Sequence, residues 1–514
     1  MSKSIYQLIC DNLKDGMLPE GFSIPEPDSP DEFTWSPGSK DGVTLFYGMG
    51  NAGLNSAAAR TMARALKAAA GKRYEEADSI FASLCTEYRA VSIIDKLQKY
   101  VVDHNRHLDP CNVYQMARLL ILSSANIECV KIGLALMELF GEPSEDDKTM
   151  IRRIGLYDEF TLFAVWNMQK WETGNEDIFY LAKHTYSWGR IHAIRHLEPE
   201  TEDIRRWIFT EGTMNGVINA YSALTCWQKS DAEAILFGSM TAEEYDAMVI
   251  LIAALLDEDP APGLSTLEDP CRILRQFLQQ SGNFHLSWKD YDVIWTISRW
   301  LEDYDNEGSN AADLIAGCDV MLHSEACRAA VAEAVKTGRA IPMAKKLGLP
   351  YHAALFSCMK HNFKDCFSNC AYLMESPEYL EATLDIFREQ LPLREMTGEP
   401  VAGFAPSEQF DNYTALNLLL QGLFGHPLAG CDFVVTALNS PYAMQRTGAL
   451  RVLQSWVTAT ERPLAELSPE LYLAVTELKA REINDCPGEM IAPLLEGKIT
   501  FHEAMTNEYW KEEE

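Results

Sequence analysis

The residues best equipped for chemistry lie in "WGRIHAIRH", from Trp188 to His196. His192 and His196 stand four apart and share a helix face, the spacing of two metal ligands on one helix. Position 193 is alanine, so the glutamate of an H-E-x-x-H site is missing, and Arg190 and Arg195 would repel a cation. Trp188, Arg190, His192, Arg195 and His196 therefore suit a binding surface. If a helical shell gathers them in a pocket and displaces the histidine pKa values, they suit an enzyme site instead. A second basic set, Arg60, Arg64 and Lys67, falls at helical spacing in a stretch from Asn51 to Tyr74 that holds no acid. That face is either an anion site, for a phosphate or an acidic segment, or an intramolecular salt-bridged face.

Other constellations fall short of a complete site. Cys358, His361, Cys366 and Cys370 read C-x2-H-x4-C-x3-C, a weak zinc candidate. Cys366 and Cys370 also sit at i,i+4 beside Phe363, Phe367 and Leu373, as buried small hydrophobes would. His104 and His107 have flanking acids but sit where a helix ends, a place that favours histidine without any metal. Asp303, Asp305, Glu307 and Gly308 match the start of a calcium loop, yet Leu314 stands where the bidentate glutamate belongs. Gly48-Met49-Gly50-Asn51-Ala52-Gly53 matches G-x-G-x-x-G, but a helical segment, "KRYEEADSIFASLCTEYR", follows where a dinucleotide fold needs a second strand. No nucleophile elbow, Walker loop or kinase motif occurs. The sequence thus assigns no catalytic residue, no cofactor and no metal.

The elements that must position these residues are mostly helices. From Asn55 onward, segments of helical periodicity recur with short connections. Asp109 before Pro110, Thr241 with Glu244 three residues on, and Ser468 before Pro469 read as N-caps. Phe33 to Trp35 and Val43 to Tyr47, flanking Pro-Gly and Asp-Gly, read as one β-hairpin. Breaks near Asp257–Thr266 and Leu391–Gln409 divide the chain into residues 1–54 (short helix, proline- and acid-rich loop, hairpin), helical blocks 55–256 and 267–390, and a C-terminal block 409–514 with an acidic tail.

At 514 residues and 47% hydrophobic content, the chain can bury a large core. Its 75 acidic against 44 basic residues give a formal charge of −31, which disfavours nucleic acid and anionic membranes and favours a basic protein partner. Thirteen scattered cysteines and an unremarkable charged N-terminus fit reduced thiols in the cytoplasm. The longest apolar stretch, Ala247 to Leu256, is far short of the roughly 20 residues that a membrane helix requires. Tryptophans crowd the middle of the chain, among them Trp207, Trp227, Trp288, Trp295 and Trp300, and any exposed ones would serve as binding anchors.

"GRIHAIRHL" (189–197) and "QRTGALRVL" (445–453) share the pattern R-x-x-A-[I/L]-R-x-L. "SPYAMQRTGALRVLQSW" resembles the second helix of a HEAT-type repeat, and residues 184–212 look like a neighbouring rung, similar to segments of a poorly characterised group of bacterial helical-repeat proteins. The resemblance covers under a quarter of the chain. It implies a fold and a binding role and brings no catalytic residues with it. The expectation is an all-α chain, an α-solenoid of stacked antiparallel HEAT-like helix pairs after a short N-terminal hairpin segment. Its expected work is non-catalytic protein interaction: an acidic curved surface for a basic partner, in the manner of an inhibitor or immunity protein. The alternative is an enzyme with a buried site near Trp188, Arg190, His192, Arg195 and His196.

Overall fold

A computed structural model describes residues 3–19, 21–24, 35–48, 55–259, 261–304, 311–401 and 410–497. Among the described residues every regular element is a helix, apart from one isolated bridge between Lys14 and Met17. No described helix is long and apolar enough to cross a membrane. The chain forms two compact units. The first comprises Met1–Pro25, Trp35–His285 and Val293–Cys318, and the second Glu26–Thr34, Leu286–Asp292 and Asp319–Glu514. The expected 55–256 block lies wholly in the first unit, and the expected 267–390 block is divided between the two.

The expected hairpin is corrected. Val43 to Tyr47 is the second half of a helix, while Phe33 and Thr34 lie outside the described residues. The β-branched and aromatic composition that suggested a strand is overridden by packing. Gly38 enters the helix at φ 78° and Gly48 leaves it at φ 65°, so two glycines in the left-handed region bound it. Helical spacing then turns Asp41, Gly42 and Thr44 inward together, which a strand would not do. Gly48, the first glycine of the G-x-G-x-x-G match, is therefore a helix C-cap, and Met49 to Leu54 lie outside the described residues.

The first unit begins with α1 (Ile5–Asn12), α2 (Ser39–Tyr47), α3 (Ser56–Ala70), α4 (Tyr74–Leu84) and α5 (Ala90–Asp103). It continues with α6 (Pro110–Ser123), α7 (Ile127–Met137), α8 (Glu145–Gly155) and α9 (Asp158–Met168). Then come α10 (Gly174–His184), α11 (Trp188–His196), α12 (Glu202–Thr210) and α13 (Ala220–Ser230). Sequence neighbours pack as pairs, with α3 on α4, α6 on α7, α8 on α9 and α10 on α11. The caps are as the sequence suggests: Asp109 accepts from the Asn112 N–H, and Thr241 with Glu244 forms a capping box before Ala242–Leu256. Ser468 caps Pro469–Arg481, without a reciprocal glutamate because residue 471 is leucine. Helix α7 is buried on all sides from Cys129 to Met137, so it forms the centre of the unit.

In the second unit the long helix Ala443–Thr460 plays the corresponding role. Trp456 is fully buried and donates from Nε1 to the Leu423 carbonyl at 2.7 Å. Arg446, also fully buried, grips Glu482 with two parallel hydrogen bonds of 2.6 and 2.8 Å and donates to the Ser440 and Pro441 carbonyls. The second unit also contains the zinc candidates. Cys358 Sγ donates to the Lys336 carbonyl, His361 is exposed with Nδ1 against the Ser357 carbonyl, and Cys366 and Cys370 are buried. Burial pushes the Cys370 thiol up to about 12. Among the described residues no group of metal-ligating side chains comes together.

Candidate functional site

Helix α2 is held to the rest of the first unit by buried charge. At its inner face Lys131 of α7, with no exposed surface, reaches Asp41 at 2.7 Å and Glu128 at 3.1 Å, and also pairs with Glu159 of α9. Arg89 pairs with Asp41 and donates to Thr44 Oγ1 at 3.0 Å. The Gly38 N–H donates to Glu159 at 2.5 Å, and the Ala90 N–H to Glu128 at 2.6 Å. Helices α2, α7 and α9 and the N-terminal end of α5 thus share one ionic network. Burial alone would lower the Lys131 pKa, but the charges of Asp41, Glu159 and Glu128 raise it well above the ordinary lysine value. Burial would likewise raise the Asp41 carboxyl, and Lys131 and Arg89 overcome this and hold it below the usual range.

This network was not assigned from sequence, though it left a signal: Lys131 interrupts the apolar run "CVKIGLALM" with Glu128 three residues before it. A lysine inside a helix that is apolar all round must find carboxylates or be expelled.

Towards its C-terminal end α2 also packs against an aromatic cluster. The Phe46 ring lies 6.0 Å from Trp188 and 4.9 Å from Tyr221, and Trp188 lies 5.0 Å from Tyr221, all in edge or tilted contacts. Tyr47 and Tyr221 join hydroxyls at 2.6 Å. Gly42 is seated against the Trp188 indole so closely that a Cβ there would be driven into the ring. Gly42→Ala is therefore expected to cost ~1–3 kcal/mol in urea denaturation, as overpacking does. Gly141→Ala, where a Cβ would meet nothing, is the matched control and is expected to leave the midpoint in place.

The five residues singled out on α11 do not converge. Trp188 is buried in the aromatic cluster, and Arg195 is exposed with its guanidinium 5.4 Å from the Phe46 ring. Arg190 turns elsewhere, stacking 5.1 Å over Trp207 and donating to the Glu211 carbonyl. His192 is buried beneath the cluster, and its Nε2 has no hydrogen-bond partner among the described residues. Burial, with Arg195 and His196 adding repulsion against the pull of Asp41, depresses its pKa to about 3. His196 is half-buried and depressed to about 4 by burial and by the charges of Arg195 and Lys229. Beside them, burial raises the Asp158 carboxyl to about 6 although it accepts from the Ser187 and Gly189 N–H groups. The two histidines share one helix but not one environment: His192 is buried and His196 half-buried.

Around the cluster lies an exposed apolar fringe. Tyr186 is 61% exposed and Tyr47 45%, with Leu45, Met214, Val217 and Ile218 also exposed. The 214–218 loop is built by Asn215, which donates to the Ile218 carbonyl and Ser222 and accepts from the Val217 N–H. Gly216, at φ 76°, brings this loop against the Tyr186 carbonyl with no room for a Cβ.

Arg60, Arg64 and Lys67 all project into solvent from α3 and make no ion pair among the described residues. Arg64→Glu is accordingly expected to move stability by no more than ~0.5 kcal/mol. A loss well above that in urea denaturation would instead reveal an ionic partner.

Comparison with protein-family models, with curated proteins and with solved structures finds no match to this chain.

Proposed function

We propose that this chain is a non-catalytic protein-interaction protein of the cytoplasm. In this reading its helix pairs run in HEAT-like solenoid series, and its acidic surface engages a basic partner, as an inhibitor or immunity-like protein masks an enzyme. The observation that carries the reading is the exposed fringe of Tyr186, Tyr47, Leu45, Met214, Val217 and Ile218 around the Phe46–Trp188–Tyr221 cluster, in a chain of charge −31. Aromatic residues beside arginines are what interface hot spots are made of. A net field of that sign speeds encounter with a basic surface, and the apolar fringe then slows release.

The test starts with affinity capture from the native cell and mass spectrometry, followed by titration with the purified partner. The partner is expected to be basic, with an affinity that falls as salt rises. Tyr186→Ala combined with Ile218→Ala is expected to weaken binding by about tenfold or more with the thermal midpoint unchanged. Binding that ignores both salt and these substitutions would remove the proposal.

A further inference from the structure

Two thiols meet in the first unit at a place that the interaction reading does not use. Cys85 caps the C-terminal end of α4, and Cys129 is the third residue of α7. Their sulfurs stand 3.8 Å apart although 44 residues separate them in sequence. Cys85 is half-buried, while Cys129 is buried. The contact is fixed from both sides. The Cys85 N–H is tied to the Phe81 carbonyl at 2.9 Å, and the Cys129 N–H to Asn126 Oδ1 at 3.0 Å. The residues on either side lead straight into the buried ionic network. Glu128 precedes Cys129 and bonds both Lys131 and the Ala90 N–H, and the turn after Cys85 ends at Arg89.

We propose that Cys85 and Cys129 form a thiol oxidation site whose substrate class is a hydroperoxide and whose product is an intramolecular disulfide. Cys85 is assigned as the attacking thiol because it is the less buried of the two. Its sulfur attacks the peroxide O–O bond, gaining oxygen as a sulfenic acid and releasing water or an alcohol. Cys129, already in contact, attacks the sulfenic sulfur. The S–S bond forms, the S–O bond breaks, and the hydroxyl leaves as water with the thiol proton. Two thiols lose two electrons and the peroxide takes them up. A disulfide needs its sulfurs about 2 Å apart, so side-chain rotation at the helix end must close the remaining gap. The contact with Cys129, burial and the neighbouring Glu128 carboxylate raise the Cys85 pKa, so the attacking thiolate is only a small fraction and the site reacts slowly, under sustained oxidant. Once formed, the bond staples the α4–α5 turn to α7 beside the Lys131 network.

The experiment treats the folded full chain with hydrogen peroxide, blocks the remaining thiols, and maps peptides without reduction. Cys111 and Cys486, both exposed, serve as internal reporters of oxidant dose. The expected result is a linked Cys85–Cys129 peptide two hydrogens lighter than its two reduced halves together, and a thermal midpoint that rises and falls back with dithiothreitol. In Cys129→Ser, Cys85 is expected to run on to sulfinic acid or to be trapped by dimedone. The proposal is overturned if the wild-type chain shows no linked peptide at doses that oxidise Cys111 and Cys486, whether Cys85 then remains a thiol or is over-oxidised alone.

Discussion

Lys131→Met is expected to cost ~3–5 kcal/mol of folding stability at neutral pH, the loss typical of breaking a buried ion pair from one side. The lysine has no exposed surface, and its ammonium is the shared partner of Asp41, Glu128 and Glu159. Methionine fills a similar volume, so little packing is lost. What remains is a set of carboxylates of which, among the described residues, Arg89 pairs only with Asp41. The cost should therefore shrink when a carboxylate is neutralised in the same chain. Lys131→Met with Glu159→Gln is expected to be less destabilised than the sum of the single substitutions, since residues of one network do not add. The gap between wild type and variant also carries a pH signature. The folded Asp41 carboxyl is held below its unfolded value, so its contribution is present above the ordinary carboxylate range and is lost as pH falls through the lower folded pKa. Urea denaturation of both proteins should accordingly converge only at the acid end. A Lys131→Met protein within ~1 kcal/mol of wild type at pH 7 would mean that the network is not what seats α2.

The same network explains why part of this molecule was legible in the sequence and part was not. Helices with apolar faces and polar caps declare themselves locally. Asp109, Thr241 and Ser468 each accept a backbone N–H within three residues, so their helix starts need no knowledge of the rest of the chain. Helix α2 is the opposite case. Val43-Thr44-Leu45-Phe46-Tyr47 has strand composition, and only distant partners settle it as a helix: Arg89 for Asp41 and Thr44, Lys131 for Asp41, Trp188 for Gly42, Tyr221 for Phe46 and Tyr47. The site residues divide in the same way. Trp188, Arg195 and Phe46 do meet, yet the pattern on α11 could not show that Arg190 would leave for Trp207 or that Asp41 and Lys131 would lie beneath. Asp41 looked like half of an Asp-Gly turn, and its carboxylate is among the most deeply buried charges of the first unit.

Acidification from pH 7.5 to 5 is expected to destabilise the first unit through His192, and through His196 to a lesser degree. The folded pKa of His192 is about 3, against an ordinary value of 6.5. Above pH 6.5 the ring is neutral in both folded and unfolded chains, and it makes stability no different. As pH falls below 6.5 the unfolded chain binds a proton that the folded chain refuses, and stability is lost continuously until the folded pKa is reached. At pH 5 this amounts to ~2 kcal/mol for His192. His196, with a folded pKa of about 4, loses stability in the same direction and over a shorter window, and its partial exposure reduces the effect. Asp158 acts in opposition, because its folded pKa of about 6 lies above the unfolded value, and protonating it on acidification favours the folded state. The contribution of His192 is isolated by substitution. His192→Phe removes the titrating group and sacrifices no hydrogen bond at Nε2, which has no partner among the described residues. Any packing change that phenylalanine introduces is present at every pH and subtracts out of the slope. Urea denaturation from pH 7.5 to 5 should give a shallower decline for His192→Phe than for wild type, by ~2 kcal/mol over the interval. Parallel declines would show that the buried ring accepts its proton without unfolding. The folded ring would then take up its proton as readily as the unfolded one, and burial beneath Trp188 would not depress its pKa.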